Sequence, residues 1–170
     1  MRTRSDRQRR APLVVTCERA RHDDAAPVVS WLGRRADVVT WAGETAPDPL
    51  SADWLTQQFN KSNPRHYTLK GHGGDVAGLF ALICFPDENR LHLTRVIVAP
   101  DLRGAGIGKR IVAECLRLLF ESQAGVLTLH VFASNQVALA LYEQAGFQRT
   151  ALQLSPVDAP DPLIRMEYRR

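Results

Sequence analysis

The 170-residue sequence predicts an α/β (α+β) domain: a mixed, mostly antiparallel central sheet with one parallel strand pair, flanked by about four helices. Three observations predict it. Residues 66–99 hold three strand-type runs joined by the tight turns GHGG (71–74) and PDEN (86–89). From Gly106 the apolar period becomes helical, with Ile107, Ile111, Cys115, Leu118 and Leu119 on one face. Gly125 ends that segment and VLTLHVF (126–132) returns to strand, so strand, helix and strand form a right-handed crossover between parallel neighbours.

In chain order, PLVVTCERA (12–20) reads as a first strand, and Asp23 or Asp24 can cap a helix carrying Val28, Val29, Trp31 and Leu32. The proline-rich segment 42–50 reads as a loop, and Ser51 as the N-cap of ADWLTQQFN. After Pro64 come the strands HYTLK (66–70), DVAGLFALICF (75–85) and RLHLTRVIVA (90–99), then the helix from Gly106 and the strand 126–132. Ser134 or Asn135 starts a helix with Val137, Ala138, Leu141 and Tyr142, which stops at Gly146. FQRTALQL (147–154) and LIRMEYRR (163–170) are the last strands, separated by the loop 155–162.

Charge and composition narrow the function. The net charge of +4 resides in residues 1–10, where five arginines face one aspartate; the remainder, read as a single domain over 11–170, is neutral. A solvated, disordered tail is expected, and nucleic acid is not expected as a partner. No apolar run approaches the ~20 residues of a membrane helix, and the N-terminus has no signal-peptide core, so a cytoplasmic protein is expected. Cys17, Cys84 and Cys115 are separated and lie in apolar runs, which reads as reduced core thiols.

The stretch VIVAPDLRGAGIGKR (96–110) places glycines between a strand and a helix. A P-loop needs glycine at 103 and a hydroxyl residue at 110, and both positions are arginine. A dinucleotide fingerprint starting at Gly104 needs a small residue at 109, which is lysine. What remains is R-x-x-G-x-G, formed by Arg103, Gly106 and Gly108. Its N–H groups can converge on an anion at a helix N-terminus, with Arg103, Lys109 and Arg110 as countercharge. A glycine-rich turn with solvated cations fits the same residues.

A second motif follows in LHVFASNQVALALYEQAGF (129–147). With Val98, Pro100, Arg103, Gly104, Gly106 and Gly108 in the first element, and Leu129, Val131, Asn135, Ala138, Tyr142, Gly146 and Phe147 in the second, the sequence resembles the GCN5-related N-acetyltransferase (GNAT) superfamily. The resemblance is strong over 75–149 and weak over 12–32.

The resemblance implies an acetyl-CoA-dependent N-acetyltransferase with the coenzyme between two splayed parallel strands, 90–99 and 126–132. The coenzyme would be held by the backbone of Arg103, Gly104, Ala105, Gly106, Ile107, Gly108 and Lys109, by strand-edge bonds near Val96 and Val98, and by Asn135. A primary amine, on a small molecule or a protein, would take the acetyl group by direct attack on the thioester. Tyr142 matches the position of the general acid in many relatives, seven residues after Asn135 on nearly the same helix face, although a packing tyrosine fits too. His92, where some relatives carry a glutamate, is the candidate base, with water as the alternative; it shares strand parity with Thr94, Val96 and Val98. Many relatives dimerise, so a homodimer is compatible. A non-catalytic acyl-CoA sensor and an aminoacyl-tRNA-acetylating toxin are the alternative functions.

The remaining candidates are weaker. His22, His66, His72 and His130 show no zinc-ligand spacing and read as surface or structural, so no metal site is expected. Trp31, Trp41 and Trp54 read as core, or as lining of an acceptor pocket. Asp23, Asp24, Glu44, Asp48 and Asp53 could attract a cationic amine, but mostly read as caps and surface.

Overall fold

The computed structural model describes residues 14–153 and 161–170. The Arg-rich tail, the first residues of the strand expected over 12–20, and most of the loop 155–162 lie outside the described residues.

The strands are β1 (Thr16–Arg19), β2 (Arg65–Lys70), β3 (Val76–Phe85), β4 (Arg90–Val98), β5 (Val126–Phe132), β6 (Gln148–Gln153) and β7 (Leu163–Arg169). They form one sheet in the order β1-β2-β3-β4-β5-β7-β6. The pair β4–β5 is parallel and every other neighbouring pair is antiparallel, as the crossover argument requires. The last strand inserts between β5 and β6, so Met166 joins the fully buried core.

The described residues hold five α-helices: α1 (Ala25–Ser30), α2 (Arg35–Ala42), α3 (Ala52–Phe59), α4 (Ile107–Glu121) and α5 (Gln136–Gln144). Ser51 caps α3, accepting the Trp54 N–H at 3.1 Å. Asn135 caps α5, its side-chain oxygen accepting the Ala138 N–H at 3.1 Å. The helix expected from Asp23 or Asp24 ends at Ser30, short of Trp31 and Leu32, and α2 follows it as a separate helix. Asp24 does not cap by its side chain. Its buried carboxylate instead accepts from the Arg21 N–H and the Thr68 hydroxyl and pairs with Lys70 at 2.8 Å, tying the start of α1 to β2. On α5 the buried residues are Leu139 and Tyr142; Val137, expected on the apolar face, is 84% exposed.

The helices divide between the sheet's two faces. On one, Ile107, Ile111, Cys115 and Leu119 of α4 pack with Leu139 of α5 over Leu91, Leu93, Leu127 and Leu129. On the other, Val28, Leu55 and Phe59 from α1 and α3 cover Leu79 and Ile97. The three cysteines are free.

Near its end β4 carries a bulge: Thr94 faces Ala81 and Ile97 faces Leu79, so Arg95 and Val96 lie opposite the single residue Phe80. The bulge reverses the facing of β4. Leu91 and Leu93 lie under α4 before it, Val96 and Val98 lie there after it, and Ile97 faces α1 and α3. The parity expected to join His92 with Val96 and Val98 is therefore wrong, because the inserted residue puts them on opposite faces.

At Gly78 the sheet and α4 meet closely. A Cβ there would lie 3.1 Å from Ile107 Cγ2 and the Ile97 carbonyl oxygen, and 3.2 Å from Ile111 Cδ1. Gly78→Ala is expected to destabilise the fold by roughly 1–3 kcal/mol through overpacking, read as a lowered urea midpoint with an unchanged slope.

Candidate active site

The parallel ladder between β4 and β5 runs only from Arg90↔Val126 to Leu93↔Leu129. Beyond it the strands part, and a cleft of about 610 Å³ opens through the sheet. Trp31, Leu32, Asp37 and Trp41 from α1, α2 and their flanks line one side, and Asn135, Ala138 and Tyr142 line the other. His92, Thr94, Arg95, Val96, Arg103 and His130 line it between them.

Of the residues expected at the site, His92, Val96, Arg103, Asn135 and Tyr142 meet in this cleft. Val98 lies on the same strand past the parting point and packs against the core under α4. Gly104 (φ 76°) and Gly106 (φ 91°) adopt the left-handed conformation that glycine permits, and a Cβ on either would meet nothing within 4 Å. Gly106 is the N-cap of α4, with no side-chain cap over it. The first-turn N–H groups at Ile107, Gly108 and Lys109 therefore have no acceptor within the helix. Gly108 has a second reason to be glycine, since a Cβ there would lie 3.2 Å from Leu141 Cδ2, where α4 meets α5. Ala105 and Gly106 border a small hollow beside Val14 and Val15, while the Ile107 side chain is buried in the core. The Lys109 side chain lines a separate hollow between α4 and α5, and Arg110 pairs with Glu114 at 2.8 Å. Arg103 alone of the three cations faces the cleft among the described residues.

His92 is held by a defined set of contacts. The Thr128 hydroxyl oxygen lies 2.9 Å from His92 Nδ1, 3.1 Å from Arg90 Nη1 and 3.2 Å from the Leu91 carbonyl oxygen. That hydroxyl has one hydrogen. With it on the Leu91 carbonyl, Arg90 and His92 Nδ1 both donate to Thr128, and His92 Nε2 keeps its lone pair. Burial, reinforced by His130, Arg90 and Arg165, lowers the His92 pKa to about 4, so the ring is neutral at working pH. His130 stands edge-on to it with ring centroids 4.5 Å apart, and burial lowers its pKa as well. From sequence His130 is a mid-strand histidine; its pairing with His92 depends on the β4–β5 register, which no local pattern encodes.

Tyr142 is buried against Phe147, and burial raises its pKa well above the ordinary phenol value, so it stays protonated. Trp31 and Trp41 line the cleft, while Trp54 lies behind it under Arg95. His66 is fully buried on β2, and its Nε2 lies 2.9 Å from Arg95 Nη1. Among the described residues, no cluster of three or more His, Cys, Asp or Glu could hold a metal ion.

A parted strand pair lined by residues from elements on both faces of the sheet is a place where two substrates can be brought together. That is the requirement of a group-transfer enzyme. Residues 35–147 match the Acetyltransferase (GNAT) family, and the chain belongs to that family and is an acyltransferase. Its relatives include the N-alpha-acetyltransferase RimI of Mycobacterium tuberculosis, 33% identical over 138 residues (76% of this chain and 84% of that protein). The peptidyl-lysine N-acetyltransferase YjaB of Escherichia coli is 25% identical over 163 residues (92% and 98%). Among solved structures, the spermidine N-acetyltransferase of Vibrio cholerae in complex with CoA and spermine shares the fold, with a TM-score of 0.74 at 21% identity (91% and 95% of the two chains).

His66 and the half-buried His92 bind a proton less well folded than unfolded: His66 is lowered to about 3, first by burial and then by Arg95, and His92 to about 4. Their contribution to stability is complete above the unfolded pKa of ~6.5 and is lost as pH falls towards these values. His66→Gln keeps an acceptor for Arg95 but cannot titrate. It is expected to flatten the dependence of unfolding free energy on pH between 6 and 4 by up to ~1.4 kcal/mol per pH unit. Urea titrations across that range check this, and an unchanged slope would count against a buried neutral His66.

Proposed function

We propose that the protein is an acetyl-CoA-dependent N-acetyltransferase acting on a primary amine. The observation that carries the reading is the parted pair β4–β5, with the Arg103–Lys109 loop at one lip of the gap and His92 and Tyr142 lining it. Acetyl-CoA supplies the activated acetyl group. The residues present suit it: first-turn N–H groups without helix acceptors, open space over Gly104 and Gly106, and Arg103 facing the cleft make a cradle for a diphosphate. Val96 and Val98 offer a strand edge past the ladder, and the Asn135 amide NH₂, which the helix cap does not use, is a further donor.

The proton chemistry divides across the sheet. His92 Nε2 takes a proton from the acceptor nitrogen, and the adjacent His130, exposed on its outer side, passes it towards solvent. Tyr142, kept protonated by burial, gives its hydrogen bond or proton to the departing sulfur. The reading includes a cytoplasmic location, which the free cysteines suit.

Two sets of measurements test this. Arg103→Glu, or Gly106→Val at its φ of 91°, is expected to weaken acetyl-CoA binding at least tenfold by calorimetry in a protein whose circular dichroism is unchanged. His92→Gln and Tyr142→Phe are expected to lower kcat about 10- to 100-fold in a thiol-release assay. Because His92 titrates only near pH 4, kcat/KM should show no limb at ~6.5, and its acid limb should follow the pKa of the acceptor amine. A limb at ~6.5 that disappears in His92→Gln would sink the neutral-base assignment.

A further inference from the structure

Arg95 is the least explained residue of the cleft. It sits at the β4 bulge with φ 54°, in the left-handed region that a non-glycine residue occupies only when its surroundings impose it. Its guanidinium touches His66 Nε2 at 2.9 Å and lies over the Trp54 ring, 5.6 Å from its centroid. Neither partner carries charge: an arginine can only donate, so His66 Nε2 accepts and the ring is neutral. Burial acts on the Arg95 charge, and among the described residues no carboxylate pairs with it.

The rest of the cleft supplies no such carboxylate. Of its lining residues only Asp37 is acidic, and Arg34 holds it through two hydrogen bonds of 3.0 and 2.9 Å. Arg103 adds a second cation at the loop. Arg95 lines the cleft, and its half-buried guanidinium spends one donor on a neutral imidazole and meets no carboxylate, which leaves donors for an oxyanion.

We propose that Arg95 binds a carboxylate, or a similar oxyanion, of the acceptor, so that the acceptor is a small amine carrying its own negative charge, of amino-acid type. This rests on the acetyltransferase reading above. Arg95 lies near the parting point beside His92, whereas the phosphate-binding features gather at the start of α4, so the two anion sites are separate. The cleft, at about 610 Å³, has the size of a small-molecule site and must also admit the coenzyme arm. Trp31, Leu32 and Trp41 give it an apolar wall. A polyamine would set several positive charges against Arg95 with no free carboxylate among the described lining residues to receive them.

The test compares matched acceptors on the wild-type protein: an amino acid panel, the same amino acids as carboxamides, and spermidine. The carboxylates are expected to show kcat/KM at least tenfold above their carboxamides, with spermidine lowest. In Arg95→Gln the carboxylate advantage should vanish through a higher acceptor KM, with the acetyl-CoA dissociation constant changed less than twofold; Arg95→Lys should keep part of it. Equal or better use of carboxamides or spermidine by the wild type, which needs no variant, overturns the proposal. So does a loss in Arg95→Gln confined to acetyl-CoA binding, which would give the guanidinium to a coenzyme phosphate. Acetyl-CoA binding without acetylation of any of these amines would overturn this proposal alone, whereas absence of acetyl-CoA binding would overturn the transferase reading beneath it.

Discussion

Between Thr94 and Ile97, β4 uses two residues opposite one on β3, and the functional half of the molecule depends on that insertion. Without it, Val96 and Val98 would continue on the face of His92, and Ile97 would leave the pocket formed by Val28, Leu55 and Phe59. With it, apolar residues stay inward on both faces while the strand bends out of line with β5. The parallel ladder then stops at Leu93 and Leu129, and the strand edges beyond it are left for a ligand. The extra residue is an arginine in the left-handed region, a strain of about 1–3 kcal/mol that the flanking pairings and the contacts with His66 and Trp54 maintain.

Burial moves His92 and Tyr142, the base and acid of the proposed chemistry, in opposite directions with one consequence. It lowers the proton affinity of His92 and raises that of Tyr142, so both are neutral at working pH, one with a free lone pair and the other with a hydrogen. They come from opposite faces of the sheet and meet only where it is parted. Thr128, opposite His92 on β5, lies 2.9 Å from its Nδ1, so under the proposed chemistry the register His92↔Thr128 orients the base.

Much of this was legible in the sequence because it is local. The glycines at 104 and 106, the Ser51 and Asn135 caps, the two tight turns and the crossover are short patterns in which backbone geometry restricts residue choice. The parts that were not legible are relations between distant residues. The bulge leaves no glycine to mark it, so β4 read as a continuous alternation. Helix α2 buries only Val38 and has no sharp apolar face, so nothing separated it from its neighbours. His130 and Arg95 read as ordinary strand residues until register and bulge set one beside His92 and the other against His66. Gly108, read with the glycine loop, lies in the first turn of α4, and its close approach to Leu141 is a helix-packing constraint that no local pattern contains.

The charge inventory of the cleft bears on the hardest step of amine acetylation, which is obtaining a neutral amine. An alkylammonium ion has a pKa near 10, and a histidine held near pH 4 is a poor group to deprotonate it by equilibrium transfer. The cleft works on the other partner. With Asp37 paired to Arg34, and Arg95 and Arg103 lining the cleft, the lining carries net positive charge, which under the proposed chemistry disfavours the ammonium form relative to the free amine. The same potential would weaken binding of a simple cation, a loss that an acceptor with its own carboxylate recovers at Arg95. Under the proposed chemistry Arg95 retains the acceptor by its anion, and Arg103, still uncompensated once that pair has formed, favours the unprotonated state of its nitrogen. His92 then has only to receive a proton made acidic by bond formation, for which a neutral ring with weak basal affinity is sufficient.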